Sequence, residues 1–316
     1  GIPRIAAHNR MKIKGADVTA DEIADPYSIC RWNPDMYGLN VGADGAQQYY
    51  DSLFELYAQW GVDFVKVDDI CRRDMPSAKK EIEMIHHAIR RCGRPIVLSL
   101  SPGPALVDQA WHYKKYANMW RITDDFWDRW PLLLNMFERC EMWQDHVAPG
   151  CWPDCDMLPL GYIGKGFGQE RYTNFTRDEQ VTMMTLWCMF RSPLMLGAEL
   201  TKLDEWTGSL ITNAKVLRLL THSCGARQIM RDGGQAVWVS EDTDGRGIYI
   251  AVFNLGGKER RVTVCAEELE LTGIDSFTGM KFEELWSGDI AINTGDVLET
   301  AVPSHGARLF RIERPV

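Results

Sequence analysis

The sequence of 316 residues lacks the features of several large protein classes. It has no run of 18 or more apolar residues, so we expect no membrane-spanning segment and no membrane partner. Positive charge is scarce, since 35 Lys and Arg residues face 44 Asp and Glu residues and leave a net charge of −9. A surface of that sign repels phosphate backbones, which argues against nucleic acid as a partner. No G-x-G-x-x-G or Walker motif follows a predicted strand, so a nucleotide-binding fold is also disfavoured.

Metal-binding patterns are missing as well. The nine Cys residues are scattered, and Cys151 and Cys155 form the one close pair. A zinc site needs four ligands at recognisable spacing, and no second pair or His cluster completes one. We therefore predict buried free thiols, no metal and no cofactor. Cysteine usage leaves the cellular compartment open.

The sequence does contain an alternation of strand-like and helix-like runs, from Tyr49 to about Trp187. Helical spacing of apolar residues covers 45–60 and 76–92. The predicted strands are 62–68, 95–101, 118–125 and 192–200, with a further strand end in the "CWPDC" loop. Such alternation indicates βαβ units and a parallel sheet. Carboxylates cluster after several strands, which favours a (β/α)8 barrel because a barrel keeps its active site at those ends.

The pattern changes after about residue 225. Short alternating runs such as "GIYIAVFNL" are separated by Gly, Asp and Asn, which is typical of an antiparallel β-sandwich. We predict an α/β fold with a catalytic (β/α)8 barrel over 1–225 and a C-terminal β-sandwich over 226–316. The five predicted strands cannot close an eight-stranded barrel, so the barrel is expected to be partial, with only about its fourth to eighth strands.

Residues 60–70, "WGVDFVKVDDI", raise a chemical question, because an apolar run that should be a buried strand ends in charges. Side chains alternate in a strand, so Lys66 and Asp68 share one face, which we expect to point into the barrel. A buried charge is costly unless it is paired, and Lys66 is placed to hold Asp68 ionised. Asp68 is then either a nucleophile or half of a structural ion pair.

A second carboxylate comes from "WRITDDFWDRW", where Asp124 and Asp125 end another predicted strand among three Trp residues. A carboxyl group in an aromatic pocket is favoured in its protonated form, so it can act as a general acid. One of the two Asp residues is expected to cap the next helix, which leaves the other for chemistry. Two Asp residues that face each other across a sugar form the glycosidase arrangement.

Over essentially its whole length, the sequence resembles glycoside hydrolase family 27, the α-galactosidase and α-N-acetylgalactosaminidase family, in a bacterial branch. Residues 60–68 match the family's W-G-V-D-x-x-K-x-D motif, and 121–125 match its R-x-x-x-D motif. The family's W-x-D-x-D-M-L loop is matched by Trp152, Asp154, Asp156, Met157 and Leu158.

The resemblance implies a retaining exo-glycoside hydrolase that releases terminal α-D-galactose from oligosaccharides or polysaccharides by double displacement. It implies that Asp68 is the nucleophile and Asp125 the acid/base, with carboxyl groups about 5–5.5 Å apart. The residues implied in substrate binding are Lys66, Arg121, Ser101, Trp152 and Asp156. A periplasmic or extracellular location is favoured over a cytoplasmic one, and a homo-oligomer is left open.

Two departures from the family pattern carry information. "LSLSPGP" offers Ser101 where animal members place a Glu against the sugar's 2-hydroxyl, which leaves more room at C2 and questions plain galactose specificity. The family's first three barrel strands, which carry a paired-Asp motif that reads the sugar's 4- and 6-positions, have no counterpart here. We therefore expect the natural protein to be longer, since an open barrel leaves unpaired strand edges.

Other functions stay open. Within the family, the alternative substrates are a β-L-arabinopyranoside and an α-N-acetylgalactosaminide. L-Arabinopyranose is galactose without its C6 group, so its ring fits the same pocket. From another class, the chain is a non-catalytic sugar-binding relative that kept the scaffold. A metal- or nucleotide-dependent barrel enzyme is the weakest alternative, because no ligand cluster or phosphate loop supports it.

Overall fold

The chain forms two compact units in a computed structural model that describes residues 1–31, 33–71, 74–101, 104–164, 168–269, 271 and 274–314. The first unit comprises Gly1–Asp124 and Ala148–Asp154. The second comprises Asp125–Val147 and Cys155–Val316. Within the described residues, no helix combines the length and the apolar character needed to cross a bilayer.

The first unit contains the strands and helices on both sides of residues 60–70. Its strands are β1 (Ile2–Pro3), β2 (Ala24–Asp25), β3 (Met36–Leu39), β4 (Phe64–Val67), β5 (Val97–Leu100), β6 (Met119–Arg121) and β7 (Trp152–Asp154). Its helices are α1 (Arg4–His8), α2 (Ala20–Ile23), α3 (Ala46–Gln59), α4 (Ala78–Arg91) and α5 (Ala110–Tyr116), with a 3₁₀ turn at Val107–Gln109. The predicted helices 45–60 and 76–92 are confirmed as α3 and α4.

Helices α3 and α4 end at glycines because the chain must leave the helix through a left-handed residue. Gly61 follows α3 with φ +77° and Gly93 follows α4 with φ +77°. Glycine adopts this region without the steric cost that a Cβ brings. Each glycine turns the chain toward the next strand, so the local sequence fixes where β4 and β5 begin.

Strands β4, β5, β6 and β7 form one parallel sheet in that order, which confirms the predicted α/β class. The antiparallel strands β1, β3 and β2 form a separate three-stranded sheet. Apolar positions of the parallel sheet that alternate with the charged ones pack inward, including Leu98, Leu100 and Trp120. The strands are shorter than predicted; residues 122–125 lie beyond β6.

The expectation that the charged face of β4 is buried is wrong. Phe64, Lys66 and Asp68 are exposed, whereas Val65 and Val67 are half-buried. The predicted alternation is therefore present, but the solvent-facing side carries the charges. In the described part of the chain β4 has a hydrogen-bonded neighbour on one side only, so its side chains are less covered than those of β5 and β6.

The second unit contains the remaining helices and the C-terminal strands. Its helices are α6 (Trp130–Trp143), α7 (Arg177–Phe190), α8 (Glu205–Ile211) and α9 (Ala214–His222), with 3₁₀ turns at Gln144–His146, Leu200–Lys202 and Glu267–Leu269. Its strands are β8 (Tyr162–Ile163), β9 (Arg171–Tyr172), β10 (Ser223–Asp232), β11 (Gln235–Asp242), β12 (Gly247–Asn254), β13 (Arg260–Cys265), β14 (Lys281–Glu284), β15 (Ile290–Ile292), β16 (Val297–Val302) and β17 (Ala307–Glu313).

The C-terminal strands confirm the predicted antiparallel sandwich. One sheet has the order β10-β11-β12-β17-β14-β15, and β13 pairs with β16 in a second sheet. Side chains from both sheets, among them Val237, Ile250, Val264 and Leu298, form one buried apolar cluster. Every residue of β12 is buried, as expected for a strand near the centre of the larger sheet.

The predicted strand over 192–200 is wrong for most of its length. It is reduced to one parallel bridge between Leu158 and Leu196. Leu158 donates to the Met195 carbonyl at 2.8 Å, and Gly197 donates to the Leu158 carbonyl at 2.9 Å. Pro193 has no N–H to extend this pairing toward its N-terminal side. The predicted domain boundary after residue 225 falls inside β10 and stays a prediction.

Candidate active site

The parallel sheet brings five predicted site residues onto one face. Its register aligns Lys66 with Ser99, Met119 and Trp152 across four neighbouring strands. Register partners share a face, and so do residues two apart along a strand. The next row of the same face therefore holds Asp68, Ser101, Arg121 and Asp154. This row lies at the carboxyl ends of the strands, where parallel α/β folds place their ligands.

Hydrogen bonds continue past the formal strand ends and fix this row. Ser101 donates its backbone N–H to the Val67 carbonyl at 2.9 Å, and Ile70 donates to the Ser101 carbonyl at 3.1 Å. Asp69, between Asp68 and Ile70, adopts φ +56°. A left-handed Asp at the end of a strand turns the chain sharply, which leaves Asp68 at the rim of the sheet.

Lys66 and Asp68 are neighbours on the exposed face of β4, yet they form no ion pair with each other among the described residues. The predicted fixation of Asp68 by a buried Lys66 is therefore absent. A cavity of about 430 Å³ lies beside β4 and is lined by both residues together with Tyr37 and Tyr49. Its described lining includes no residue of β5, β6 or β7, so this cavity does not reach Ser101, Arg121 or Trp152.

Ser101 lies at the end of β5 and is only 1% exposed. Its hydroxyl has no hydrogen-bond partner in the described part of the chain. A buried hydroxyl without a partner costs about 1–3 kcal/mol, so proteins rarely keep one without a reason. The predicted binding role of Ser101 stays a prediction.

Arg121 is buried at the end of β6, and its Nε donates to the Thr123 carbonyl at 3.0 Å. Burial raises the pKa of the Cys71 thiol to about 12, while the charge of Arg121 opposes that rise. The guanidinium is therefore close enough to Cys71 to influence its pKa. Trp152, implied in substrate binding by the family resemblance, is half-buried on the same face.

Asp154 lies in the same row but was not among the site residues predicted from the sequence. It is buried at the end of β7 and is the register partner of Arg121. Its backbone carbonyl accepts from Ile122 at 2.9 Å. The sequence could have predicted the position of Asp154, because this residue follows Trp152 by two and side chains two apart in a strand lie on the same face. With Asp154 included, the row carries two carboxylates and one guanidinium.

Asp125 and Asp156 belong to the second unit, and the structure connects them through a backbone bond. Asp156 is buried, and its Oδ2 accepts from the Phe126 N–H at 2.8 Å. Phe126 directly follows Asp125, so this bond lies one peptide away from the predicted acid/base. The expected spacing of about 5–5.5 Å between the carboxyls of Asp68 and Asp125 stays a prediction.

No group of three or more His, Cys, Asp or Glu side chains in the described ranges could hold a metal ion. The nine cysteines are free thiols. The closest approach is between Cys140 and Cys155, whose Sγ atoms lie 3.6 Å apart in the core.

Comparison with known proteins decides the family. Residues 35–221 match the family described as Alpha galactosidase A, and residues 232–312 match the Alpha galactosidase C-terminal beta sandwich domain. A solved GH27 β-L-arabinopyranosidase from Geobacillus stearothermophilus, in complex with arabinose, is 50% identical with a TM-score of 0.94. The match covers 100% of the present chain and 73% of the Geobacillus chain. The chain belongs to glycoside hydrolase family 27.

Other relatives of this family 27 chain differ in their named substrates. A structure of a putative α-N-acetylgalactosaminidase from Bacillus halodurans is 42% identical, with a TM-score of 0.86, and covers 100% of this chain and 73% of its own. Alpha-galactosidase 2 of Arabidopsis thaliana is 24% identical over 260 residues, which is 82% of this chain. The chain spans 62% of that relative and 58% of the Cyamopsis tetragonoloba α-galactosidase.

Proposed function

We propose that this family 27 chain carries the catalytic carboxylates of a retaining exo-acting glycoside hydrolase. One observation supports this most strongly. Lys66, Asp68, Ser101, Arg121 and Asp154 share one face at the carboxyl ends of adjacent parallel strands. In this row, a carboxylate can attack the anomeric carbon of a sugar. The neighbouring cations and the Ser101 hydroxyl, unpaired among the described residues, can form hydrogen bonds to the sugar hydroxyls.

The proposed reaction has two displacements. In the first, an Asp68 oxygen attacks the anomeric carbon while Asp125 gives its proton to the departing glycosidic oxygen, which forms a glycosyl ester on Asp68. In the second, Asp125 takes a proton from water, the water oxygen attacks the same carbon, and the Asp68 carboxylate departs. Each step inverts the anomeric carbon, so the product keeps the configuration of the substrate.

For the sugar, we propose a terminal β-L-arabinopyranoside as the preferred substrate. The similarity to the Geobacillus β-L-arabinopyranosidase, 50% over the whole chain, supports this choice over the α-galactosidases at 22–25%. L-Arabinopyranose and galactose share one ring configuration and differ by the C6 group, so the same residues could bind either ring. A terminal α-D-galactoside is therefore the second candidate.

The test measures kcat/KM for the 4-nitrophenyl glycosides of β-L-arabinopyranose, α-D-galactose and α-N-acetylgalactosamine, using the protein expressed from its complete gene. We expect the arabinopyranoside to have the highest kcat/KM of the three. A faster galactoside would overturn the sugar assignment and leave the reaction class intact. Binding of these sugars without turnover would instead establish the non-catalytic sugar-binding alternative.

A further inference from the structure

Asp156 has a backbone conformation and a burial that both require an explanation. Its φ is +75°, in the left-handed region, and its side chain is 6% exposed. A non-glycine residue held there costs about 1–3 kcal/mol, although Asp tolerates the region better than most residues. A buried carboxylate is costly as well unless hydrogen bonds compensate for lost water. Both costs occur at one residue, so its surroundings must hold it in place.

Hydrogen bonds with neighbouring side chains hold the backbone around Asp156 in place. The Trp187 indole donates from Nε1 to the Asp156 carbonyl at 3.2 Å, and Trp187 itself is fully buried. The preceding peptide is fixed too, because the Cys155 N–H donates to the Ser192 hydroxyl at 2.9 Å. Phe126 packs on Trp187 with ring centroids 4.9 Å apart. The backbone carbonyl of Asp156 and the ring of Phe126 thus both contact the same indole.

The bond from Phe126 to Asp156 acts on the peptide that follows Asp125. Its N–H lies in the plane that also contains the Asp125 carbonyl. Holding this N–H on a buried carboxylate restricts rotation about the Asp125 Cα–C bond. The bond is charge-assisted, and such bonds are about twice as strong as neutral ones. The direction in which the Asp125 side chain leaves the backbone is therefore set in advance.

We propose that Asp156 is a positioning residue that orients Asp125 for proton transfer, through the Phe126 N–H. This inference rests on the proposed function, because it takes Asp125 as the acid/base. It also differs from the role expected from the sequence, where Asp156 was implied in substrate binding. General acid catalysis contributes about 10²–10⁴-fold and depends on the geometry of the donor. A misplaced Asp125 should therefore affect most the substrates whose leaving groups need the proton.

The first experiment compares Asp156→Ala with the unaltered protein on two glycosides of one sugar. One has an activated 4-nitrophenyl leaving group and the other an alkyl group that cannot depart without protonation. We expect kcat/KM to fall more than 100-fold for the alkyl glycoside and less than 10-fold for the nitrophenyl one. Asp156→Asn keeps an oxygen acceptor for Phe126, so it should recover part of the loss. Equal losses on both substrates would show a merely structural role and overturn the proposal.

Asp128→Asn is the matched control. Asp128 is also buried in the second unit, and it also accepts a backbone N–H, that of Asn174. It does not bond to the peptide after Asp125. We expect Asp128→Asn to lower thermal stability while both glycosides lose the same factor. A selective loss on the alkyl glycoside in this variant would contradict the proposal, since damage to any buried carboxylate would then give the same signature.

A second measurement does not depend on turnover. Hydrogen exchange at the Phe126 amide reports whether its N–H is held by the Asp156 carboxylate. We expect exchange at Phe126 to accelerate at least 10-fold in Asp156→Ala and to stay slow in Asp128→Asn. An unchanged Phe126 rate would overturn the inference even in an active enzyme. A protein that hydrolyses none of the three glycosides but shows this acceleration would refute the proposed function and leave the positioning bond standing.

Discussion

At the scale of single residues, the hydroxyl of Ser101 is an example of a buried polar group without a hydrogen-bond partner among the described residues. The residue is buried, and its Oγ has no partner in the described part of the chain. Ser223 offers the contrast, because it is also buried but its Oγ donates to the Leu219 carbonyl at 2.7 Å. The second hydroxyl already stabilises the fold, and we propose that the first gains its bond from a ligand.

We therefore predict opposite effects of two Ser→Ala changes. Ser101→Ala should raise KM for the preferred glycoside about 10-fold, equivalent to about 1.4 kcal/mol of lost binding, and leave the melting temperature unchanged or slightly higher. Ser223→Ala should lower the free energy of unfolding by about 1 kcal/mol and leave KM unchanged. Steady-state kinetics and thermal unfolding of both variants check this. A KM for Ser101→Ala equal to that of the unaltered protein would remove Ser101 from the site.

Asp128 carries a pH-dependent part of the stability. Burial disfavours its charge, but hydrogen bonds from Arg171 and from the Asn174 backbone prevail and hold its pKa below the ordinary value. A lowered pKa contributes stability above the unfolded value of about 3.9, and this stability is lost as pH falls toward the folded pKa. We expect Asp128→Asn to cost about 2 kcal/mol at pH 7 and much less near pH 3. Denaturant unfolding at both values measures this, and a cost independent of pH would refute the assignment.

At the scale of the elements, helix α7 is the best example of a start encoded locally. Thr176 and Glu179 have the sequence spacing of a capping box, and the structure contains both halves of it. The Thr176 Oγ1 accepts from the Glu179 N–H at 3.2 Å, and the Glu179 Oε2 accepts from the Thr176 N–H at 2.8 Å. Two of the unpaired N–H groups at the helix start are satisfied without any distant residue.

A cap of this kind has a measurable value. Thr176→Ala removes the hydroxyl and should lower the free energy of unfolding by about 1 kcal/mol. Thr176→Ser keeps the oxygen and is the matched control, so it should lie within a few tenths of a kcal/mol of the unaltered protein. Chemical denaturation of the three proteins decides the matter. Equal stability of the Ala and Ser variants would show that packing alone holds this end of α7.

The same scale shows where prediction from sequence stops. Helices α3, α4 and α7 follow from apolar spacing and local end signals, which are properties of neighbouring residues. The alternation along β4 was equally local, and it placed Lys66 and Asp68 on one face correctly. Which face is covered depends on neighbours distant in sequence, and there the prediction was wrong. The predicted strand over 192–200 failed because pairing partners, not propensity, decide how far a strand extends.

At the scale of the whole molecule, the sequence predicts candidate site residues only where they follow the two-residue alternation of a strand. The row of Lys66, Asp68, Ser101 and Arg121 follows from alternation in strands that the pattern located. The positioning bond from Asp156 to Phe126 does not, because it joins a side chain to a backbone group 30 residues away. The family resemblance could carry the residue over, but its hydrogen-bond partner became known only from the structure.

The chemistry proposed for the whole enzyme needs carboxylates and no metal. We expect turnover to be unchanged by exhaustive dialysis against EDTA, because no step of the proposed reaction uses a metal ion. The measurement is hydrolysis of the preferred nitrophenyl glycoside before and after dialysis. Loss of activity that added Mg²⁺, Ca²⁺ or Zn²⁺ restores would contradict a mechanism carried by Asp68 and Asp125 alone.

The central claim is that the carboxylate of Asp68 makes the covalent bond to the sugar. The most direct measurement is the turnover of Asp68→Ala on the nitrophenyl glycoside, with and without sodium azide. The account predicts that hydrolysis is lost, and that azide restores release of nitrophenol and gives a glycosyl azide of inverted configuration, since azide then attacks in place of Asp68. Near-normal hydrolysis by Asp68→Ala without azide would contradict the account.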